Sequence, residues 1–161
     1  MAEKTMNVSY GSDSKSSRLP HAASFRDLIV YQKARLLQKE VFEVSLKFPS
    51  EEKFALTDQI RRCSRSVGAQ IAEAWAKRRY EKHFVSKLTD SLGETFETEH
   101  WLETAREDVG LSAEKAAELL SLSQEVGRML SSMIEKSDRF CGTPDNRVKE
   151  TEEELCAFFA A

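Results

Sequence analysis

The stretch QIRRCSRSVGAQIAEA, from Gln59 to Ala74, decides the fold of this chain. Its apolar residues recur at steps of three and four, which places them on one face of an α-helix. Arg61, Arg62 and Arg65 fall on the opposite side of the same helix. We interpret it as a helix that packs inward along one face and presents arginines to a partner, which favours assembly or binding over catalysis. The apolar face, extended by one turn, comprises Leu56, Ile60, Cys63, Val67, Ile71 and Ala74.

The same periodicity predicts three further helices around this one. The four predicted helices are 28–46, 58–76, 81–108 and 112–140. Asp27, Thr57 and Ser112 are their candidate N-caps, and residues 50–53 resemble a short helical turn. Links of about two to eight residues bring consecutive helix ends together, so neighbouring helices must run in opposite directions. The sequence predicts an all-α fold, an antiparallel up-and-down four-helix bundle over residues 25–140.

The third helix carries three hydroxyl residues at the centre of its inward-facing seam. Small side chains there let helices approach closely, and hydroxyls can bond back to the backbone of their own helix. We expect Val85, Leu92 and Phe96 to widen the apolar face on one side, with Trp101 well outside it. The predicted seam consists of Phe84, Leu88, Ser91, Thr95, Thr98, Leu102, Ala105 and Val109.

The two ends of the chain lack a clear helical pattern. Residues 1–24 are polar and rich in serine, and we interpret them as a disordered leader. Residues 141–161 form an acidic C-terminal tail, for which a short amphipathic helix and disorder are both consistent with the sequence. The adjacent Phe158 and Phe159 in this tail are a candidate docking handle, so a protein-interaction adaptor is one alternative function.

Charge is distributed unevenly along the chain, although its net value is only −3. Residues 61–87 hold eight basic and two acidic side chains, whereas residues 90–125 hold ten acidic and two basic ones. The net charge excludes a broadly basic nucleic-acid binder. The asymmetry favours either steering of a charged partner or pairing between copies.

The basic segment is the candidate nucleic-acid-binding surface. Its cations would contact phosphates, and such contacts weaken as the salt concentration rises. An alternative is that the arginines of the second helix form ion pairs with the acidic third helix of a neighbouring copy. The candidate residues are Arg61, Arg62, Arg65, Lys77, Arg78, Arg79, Lys82 and Lys87.

Large aromatic residues outside the seam are candidates for an interface between copies. Trp75, Trp101 and Phe96 form this set, because aromatic residues often anchor partners. The alternative for the two tryptophans is that they cap the ends of the bundle. Glu73 and Glu97 are further candidates for buried ion pairs with arginines, which would fix the helix register.

Catalytic patterns are absent from the sequence. Glu97 and His100 have the Glu-x-x-His spacing of di-iron bundles, but neither His21 nor His83 supplies a second such motif. No nucleophile has a partner at recognisable spacing, and there is no glycine-rich phosphate loop. We expect a non-enzymatic protein without metal or cofactor, the rival being an enzyme with a metal held between helices or subunits.

Cysteine usage and hydropathy favour a cytoplasmic location. Cys63, Cys141 and Cys156 are odd in number and lack metal-ligand spacing, as expected in a reducing compartment. The N-terminal segment has no uninterrupted apolar run of the kind found in signal peptides, and no stretch is long enough to span a bilayer. We expect no membrane partner.

Several motifs resemble those of the 23S rRNA intervening-sequence proteins. The first is FRDLIVYQKA at residues 25–34, followed by Phe48-Pro49. QIRRC at residues 59–63 and QIAE at residues 70–73 are similar to a paired pattern of that family, and Gly93-Glu94 with ETEHWL at 97–102 extends it. Ala74 replaces a family glycine and should extend the second helix towards Trp75.

The resemblance implies an architecture and a set of partners. Members of the family form antiparallel bundles that assemble into rings, commonly of five subunits. The related accessory proteins of diversity-generating retroelements are thought to bind nucleic acid and a reverse transcriptase through a basic surface. For this chain, the resemblance implies a ring homo-oligomer, with RNA or DNA as the partner of the basic residues named above.

Overall fold

A computed structural model describes residues 22–141, and it consists of four long helices joined by short links. The helices are α1 (Ile29–Ser45), α2 (Asp58–Lys77), α3 (Glu81–Asp108) and α4 (Ala113–Glu135). No β-strand occurs within this range, so the predicted all-α fold is confirmed. The predicted leader, apart from residues 22–24, and the acidic tail beyond residue 141 lie outside the described residues. None of the helices in residues 22–141 combines the length and the apolarity needed to cross a membrane.

The helices form an antiparallel bundle in which each packs against two neighbours. The contacting pairs are α1 with α2, α2 with α3, α3 with α4, and α4 with α1. Hydrogen bonds between neighbouring helices show that they run in opposite directions. As residue numbers rise along one helix, the numbers of their partners fall along the other. Examples are Val67 with Ser91, Cys63 with Thr98, Glu125 with Lys33, and Lys115 with Glu40.

The core consists of the inward stripes predicted from sequence. The α2 stripe is buried along its whole length, from Leu56 to Ala74. The α3 seam is buried from Phe84 to Ala105, and only Val109 at its end is partly exposed. Removing this apolar surface from water provides most of the driving force for folding.

The hydroxyl residues of the α3 seam are fully buried and hydrogen-bonded. Thr95 donates its Oγ1 proton to the Ser91 carbonyl at 2.8 Å, the predicted bond to its own helix. Ser91 instead donates across the interface, to the Val67 carbonyl on α2 at 2.9 Å. No buried side-chain nitrogen or oxygen within residues 22–141 lacks a partner. The small polar seam therefore brings α3 close to α2 without leaving polar groups unsatisfied.

Two of the three predicted N-caps are wrong. Asp27 belongs to a 3₁₀ turn, Phe25–Asp27, and its carboxylate accepts from the backbone of Ala23 and Ser24 rather than from α1. Thr57 lies in a wide helical turn, Lys53–Thr57, that runs directly into α2, so its backbone is already helical and its side chain makes no cap. Before α2 this turn continues the helical backbone, whereas before α1 the extended Leu28 occupies the N-cap position and makes no side-chain cap.

Other helix ends agree more closely with the prediction. Ser112 caps α4 by accepting from the Lys115 backbone at 3.2 Å, and Ser50–Glu52 is the predicted short turn. With Ala74 in place of glycine, α2 continues through Trp75 to Lys77.

The fourth helix ends at Glu135, five residues earlier than predicted. Lys136 leaves the helix, and a 3₁₀ turn, Ser137–Arg139, follows. The Ser137 hydroxyl donates to Glu81 Oε1 at 2.6 Å, and the Phe140 ring stacks on Phe84 with 5.9 Å between centroids. These contacts fold the chain back over the end of the bundle and stop the helix.

Candidate nucleic-acid interface

The structure separates the predicted basic surface into two groups. Arg61, Arg62 and Arg65 lie in the first half of α2, whereas Lys77 is its last residue. Arg78 and Arg79 lie in the link that follows, and Lys82 and Lys87 lie in the first two turns of α3. Arg65 and Lys77 are about 18 Å apart along the helix axis at 1.5 Å per residue. The predicted residues therefore do not form one continuous patch.

Two arginines of α2 are held against the aromatic ring of Phe42 on α1. The guanidinium carbons of Arg61 and Arg65 lie 4.9 and 5.9 Å from the ring centre. Arg61 Nε also donates to Ser45 Oγ at 2.7 Å. Cation–π contacts and the hydrogen bond restrict the side chains, so these charges are held in defined positions on the α1–α2 face.

The first helix adds two cations that the sequence analysis missed. Arg35 and Lys39 lie one turn apart on α1 and line a shallow groove of about 520 Å³ with Phe42 and Arg65. Among residues 22–141, none of these cations forms an ion pair with a carboxylate. The four-residue spacing of Arg35 and Lys39 was visible in the sequence, but their proximity to α2 was not. We call Arg35, Lys39, Arg61 and Arg65 the groove cluster.

Arg62 faces the other side of α2, towards α3. It lines a groove together with Glu94 and Glu97, two carboxylates of the same chain. Opposing charges across this groove reduce the positive potential around Arg62. Arg65 also lines this groove, so the acidic side of α3 faces two arginines of the same chain, and neither forms an ion pair within residues 22–141.

A second basic group surrounds the connection between α2 and α3. Arg78 Nη1 donates to the Trp75 carbonyl at 2.7 Å, and its guanidinium carbon lies 4.3 Å from the Trp75 ring centre. Arg79 lies 5.9 Å from the ring centre of Tyr80, which is 56% exposed. We call Lys77, Arg78, Arg79 and Lys82 the turn cluster.

Lys87 belongs to neither cluster, because carboxylates neutralise it. Its Nζ lies 3.1 Å from Asp90 and 3.2 Å from Glu73, and it donates to Gln70 at 3.1 Å. The hydrogen bonds that this lysine donates to Asp90 and then to Glu73 raise its pKa. The predicted buried pairing of Glu73 with an arginine is wrong, since the Glu73 side chain is 52% exposed and its partner is this lysine.

The three candidate interface residues differ in how the chain covers them. Trp75 and Trp101 are half-buried, and each packs against one of the two core clusters of its own chain. Phe96 is 58% exposed and lines a groove between α3 and α4 with Leu92 and Gly127. Phe96 is therefore the candidate with the largest apolar surface left uncovered by its own chain.

Two carboxylates, those of Glu99 and Glu135, line the α3–α4 groove together with Phe96. Glu99 lines the same α3–α4 groove, and burial raises the pKa of its carboxyl, while a hydrogen bond with Ser123 acts in the opposite direction. A carboxyl with a raised pKa disfavours charge at this position. Burial therefore opposes the ionisation of Glu99 beside Phe96.

The residues with catalytic or metal-binding potential are dispersed. Glu97 and His100 are both exposed on α3, and Glu97 accepts a hydrogen bond from the Trp101 indole at 3.2 Å. Burial raises the pKa of the Cys63 thiol to about 11, so the thiol stays protonated at neutral pH. Within residues 22–141, no three His, Cys, Asp or Glu side chains lie close enough together to hold a metal ion.

Comparison with known proteins relates the chain to a protein family and to a solved structure. The model of the 23S rRNA-intervening sequence protein family matches residues 26–132. A crystal structure at 1.70 Å, described as a protein with unknown function from the S23 ribosomal protein family of Bacteroides thetaiotaomicron, is 29% identical with a TM-score of 0.61. That match covers 66% of this chain and 96% of the other. A search of curated proteins gives no significant match.

Proposed function

The chain belongs to the 23S rRNA-intervening sequence protein family, and from that premise we propose that it is a self-associating helical bundle without catalytic activity that binds nucleic acid through its α1–α2 face. The family description refers to ribosomal RNA, and the cations of the groove cluster are suited to contact phosphate groups. We place the nucleic-acid contact at this cluster rather than across all the basic residues of α2.

The observation that carries the proposal is the absence of ion pairs at the groove cluster. Four cations from two helices converge around Phe42, and no carboxylate of residues 22–141 pairs with them. Arginine guanidinium groups suit phosphate oxygens because they donate two parallel hydrogen bonds. The exposed Leu36 and the half-buried Phe42 add apolar surface on which an unstacked base can rest.

Self-association would multiply these contacts. A chain in isolation offers four groove cations, which supports only weak binding, whereas a ring of copies repeats the same cluster around its rim. The exposed ring of Phe96 provides the apolar surface for contact between copies, because large aromatic residues often anchor interfaces. A ring of five subunits is the assembly that the family resemblance implies.

The proposed absence of catalysis rests on the arrangement of the reactive groups. The buried Cys63 thiol is protonated, and Glu97 and His100 face solvent rather than the centre of the bundle. A di-iron bundle requires its Glu-x-x-His motifs to project inward. A metal site built from residues 22–141 would therefore need ligands from several chains, and elemental analysis of the purified assembly would reveal such a metal.

Binding of structured RNA should depend steeply on salt. If four groove cations contact phosphates, the affinity should fall about 50- to 150-fold between about 50 and 200 mM salt. Filter binding at several salt concentrations measures the slope of log affinity against log salt. An uncharged polymer of similar size serves as the control. An affinity that is unmeasurable at low salt, or one that does not change with salt, would remove the nucleic-acid proposal.

Replacing Phe96 with glutamate should break the assembly. The substitution puts a charge into the α3–α4 groove, where a neighbouring copy would have to desolvate it. We expect the mass from light scattering to fall from that of an oligomer to that of one chain. Phe54→Glu is the matched control, because it puts the same charge on an exposed ring that lies in the turn before α2 and does not line the α3–α4 groove. It should leave the mass unchanged. An unaltered mass for Phe96→Glu would contradict the proposed interface.

A further inference from the structure

The described part of the chain ends beside the turn cluster. Residue 141 follows the turn in which Ser137 donates to Glu81 and Phe140 stacks on Phe84. Glu81 and Phe84 lie in the first turn of α3, on either side of Lys82 of the turn cluster. The next residues of the chain therefore begin at the end of the bundle where α2 meets α3.

Arg78 connects this exit point with the turn cluster. The side chain of Arg78 covers the Trp75 ring, and Trp75 and Cys141 pack against the same hydrophobic cluster. Burial raises the pKa of the Cys141 thiol, Glu81 adds to this effect, and the positive charge of Arg78 opposes it. Cys141 and the Trp75 ring that Arg78 covers thus pack against the same part of the core.

The turn cluster carries positive charge that the bundle does not neutralise. Lys77, Arg79 and Lys82 are exposed, and no ion pair involves them within residues 22–141. Lys77 and Lys82 line a shallow groove together with His83. Cations this close in the sequence repel one another and favour a nearby anion.

The sequence beyond residue 141 contains a matching set of carboxylates. Four glutamates occur within the five residues 150–154, and residues 142–149 separate them from the end of the described bundle. Eight residues span at most about 26 to 29 Å when extended, which is ample for an anchor on the same end of the bundle. Tethering by so short a segment gives an effective concentration on the order of millimolar.

We propose that the turn cluster is the docking site for the acidic segment 150–154 of the same chain. Its carboxylates neutralise Lys77, Arg79 and Lys82 and cover the connection between α2 and α3. The docked segment would leave the groove cluster as the basic surface that is open to other anions. This proposal does not depend on nucleic-acid binding, and its test needs no nucleic acid.

Zero-length cross-linking of the full chain tests the contact directly. A carbodiimide joins a carboxylate to an amine that it touches, so the tail glutamates should be linked to Lys77 and Lys82. Lys136 is the proximity control, because it is exposed and nearer to the tail in sequence. We expect links to Lys77 and Lys82 to be at least about fivefold more abundant than links to Lys136, given the tethered docking. Equal yields at all three lysines, or links formed only between differently labelled chains, would overturn the proposal.

Limited trypsin digestion of the full chain provides a second measurement. Replacing Glu150, Glu152, Glu153 and Glu154 with glutamine should release the segment and speed cleavage after Arg79 at least about threefold, because an uncovered connection is more accessible to protease. The matched control neutralises four exposed carboxylates at the opposite end of the bundle, with Glu103→Gln, Glu107→Gln, Asp108→Asn and Glu114→Gln. The control should cleave at the parental rate. A tail variant that cleaves no faster than this control would show that the segment does not cover the turn cluster.

Discussion

Replacing Phe84 with alanine should lower the free energy of unfolding by about 3–5 kcal/mol, a large part of the stability of a domain of this size. Phe84 is 1% exposed, and its ring stacks on Phe140 where the chain folds back over the end of the bundle. Removing the ring therefore loses buried apolar area, leaves a cavity and loosens the segment that ends α4. Urea denaturation followed by circular dichroism, at one fixed chain concentration, measures the change.

Phe54 provides the matched control for the stability experiment. The same substitution at Phe54 removes a ring that is 77% exposed, and it should change the unfolding free energy by less than about 0.5 kcal/mol. If Phe84→Ala does not fold, Phe84→Leu preserves most of the volume and should cost less than about 1.5 kcal/mol. A Phe84→Ala loss as small as that of the Phe54 control would mean that this end of the bundle is not a packed core.

The sequence determined the helices well because each one carries a long apolar stripe. The predicted bounds of α3 agree with the structure at both ends, since its seam repeats every three or four residues from Phe84 to Ala105. The wrong predictions are the N-caps at Asp27 and Thr57, where the chain forms short turns instead of side-chain caps. A helical turn precedes each of α1 and α2, around Asp27 and Thr57, and no apolar pattern reports such turns.

The candidate site was less predictable, because charge acts through space rather than along the chain. Counting cations from residue 61 to 87 identified a basic segment but included Lys87, which Glu73 and Asp90 neutralise. The same count omitted Arg35 and Lys39, which the antiparallel packing of α1 and α2 brings beside Arg65. The packing of the helices against one another decides which cations within residues 22–141 lie beside a carboxylate and which do not.

Side-chain exposure adds a second distinction that the sequence did not contain. Trp75 and Phe96 both lie outside the predicted seams, and residue type alone favoured an interface for each. Arg78 and core residues pack against the Trp75 ring, whereas Phe96 remains 58% exposed. Phe96 is therefore the residue at which a substitution should affect the contact between copies.

Reversing the charge of Arg35 and Lys39 should abolish most of the proposed nucleic-acid binding. Both side chains are exposed on α1 and form no ion pair within residues 22–141, so Arg35→Glu with Lys39→Glu should leave the fold intact. Losing two phosphate contacts should weaken RNA binding about a hundredfold at about 50 mM salt and make the salt slope shallower by about 1.4 to 1.8. The shallower slope follows because fewer counterions are released, and it separates a lost phosphate contact from a general loss of folded protein.

The matched control for this experiment reverses two lysines outside the groove cluster. Lys47→Glu with Lys53→Glu makes the same change in net charge at exposed positions near the link between α1 and α2. Long-range repulsion alone should weaken RNA binding by only a few-fold at low salt and leave the slope nearly unchanged, because screening reduces it beyond about 10 Å at 0.1 M salt. Equal losses in the two double variants would show that RNA responds to net charge, and the α1–α2 groove would then have no specific role.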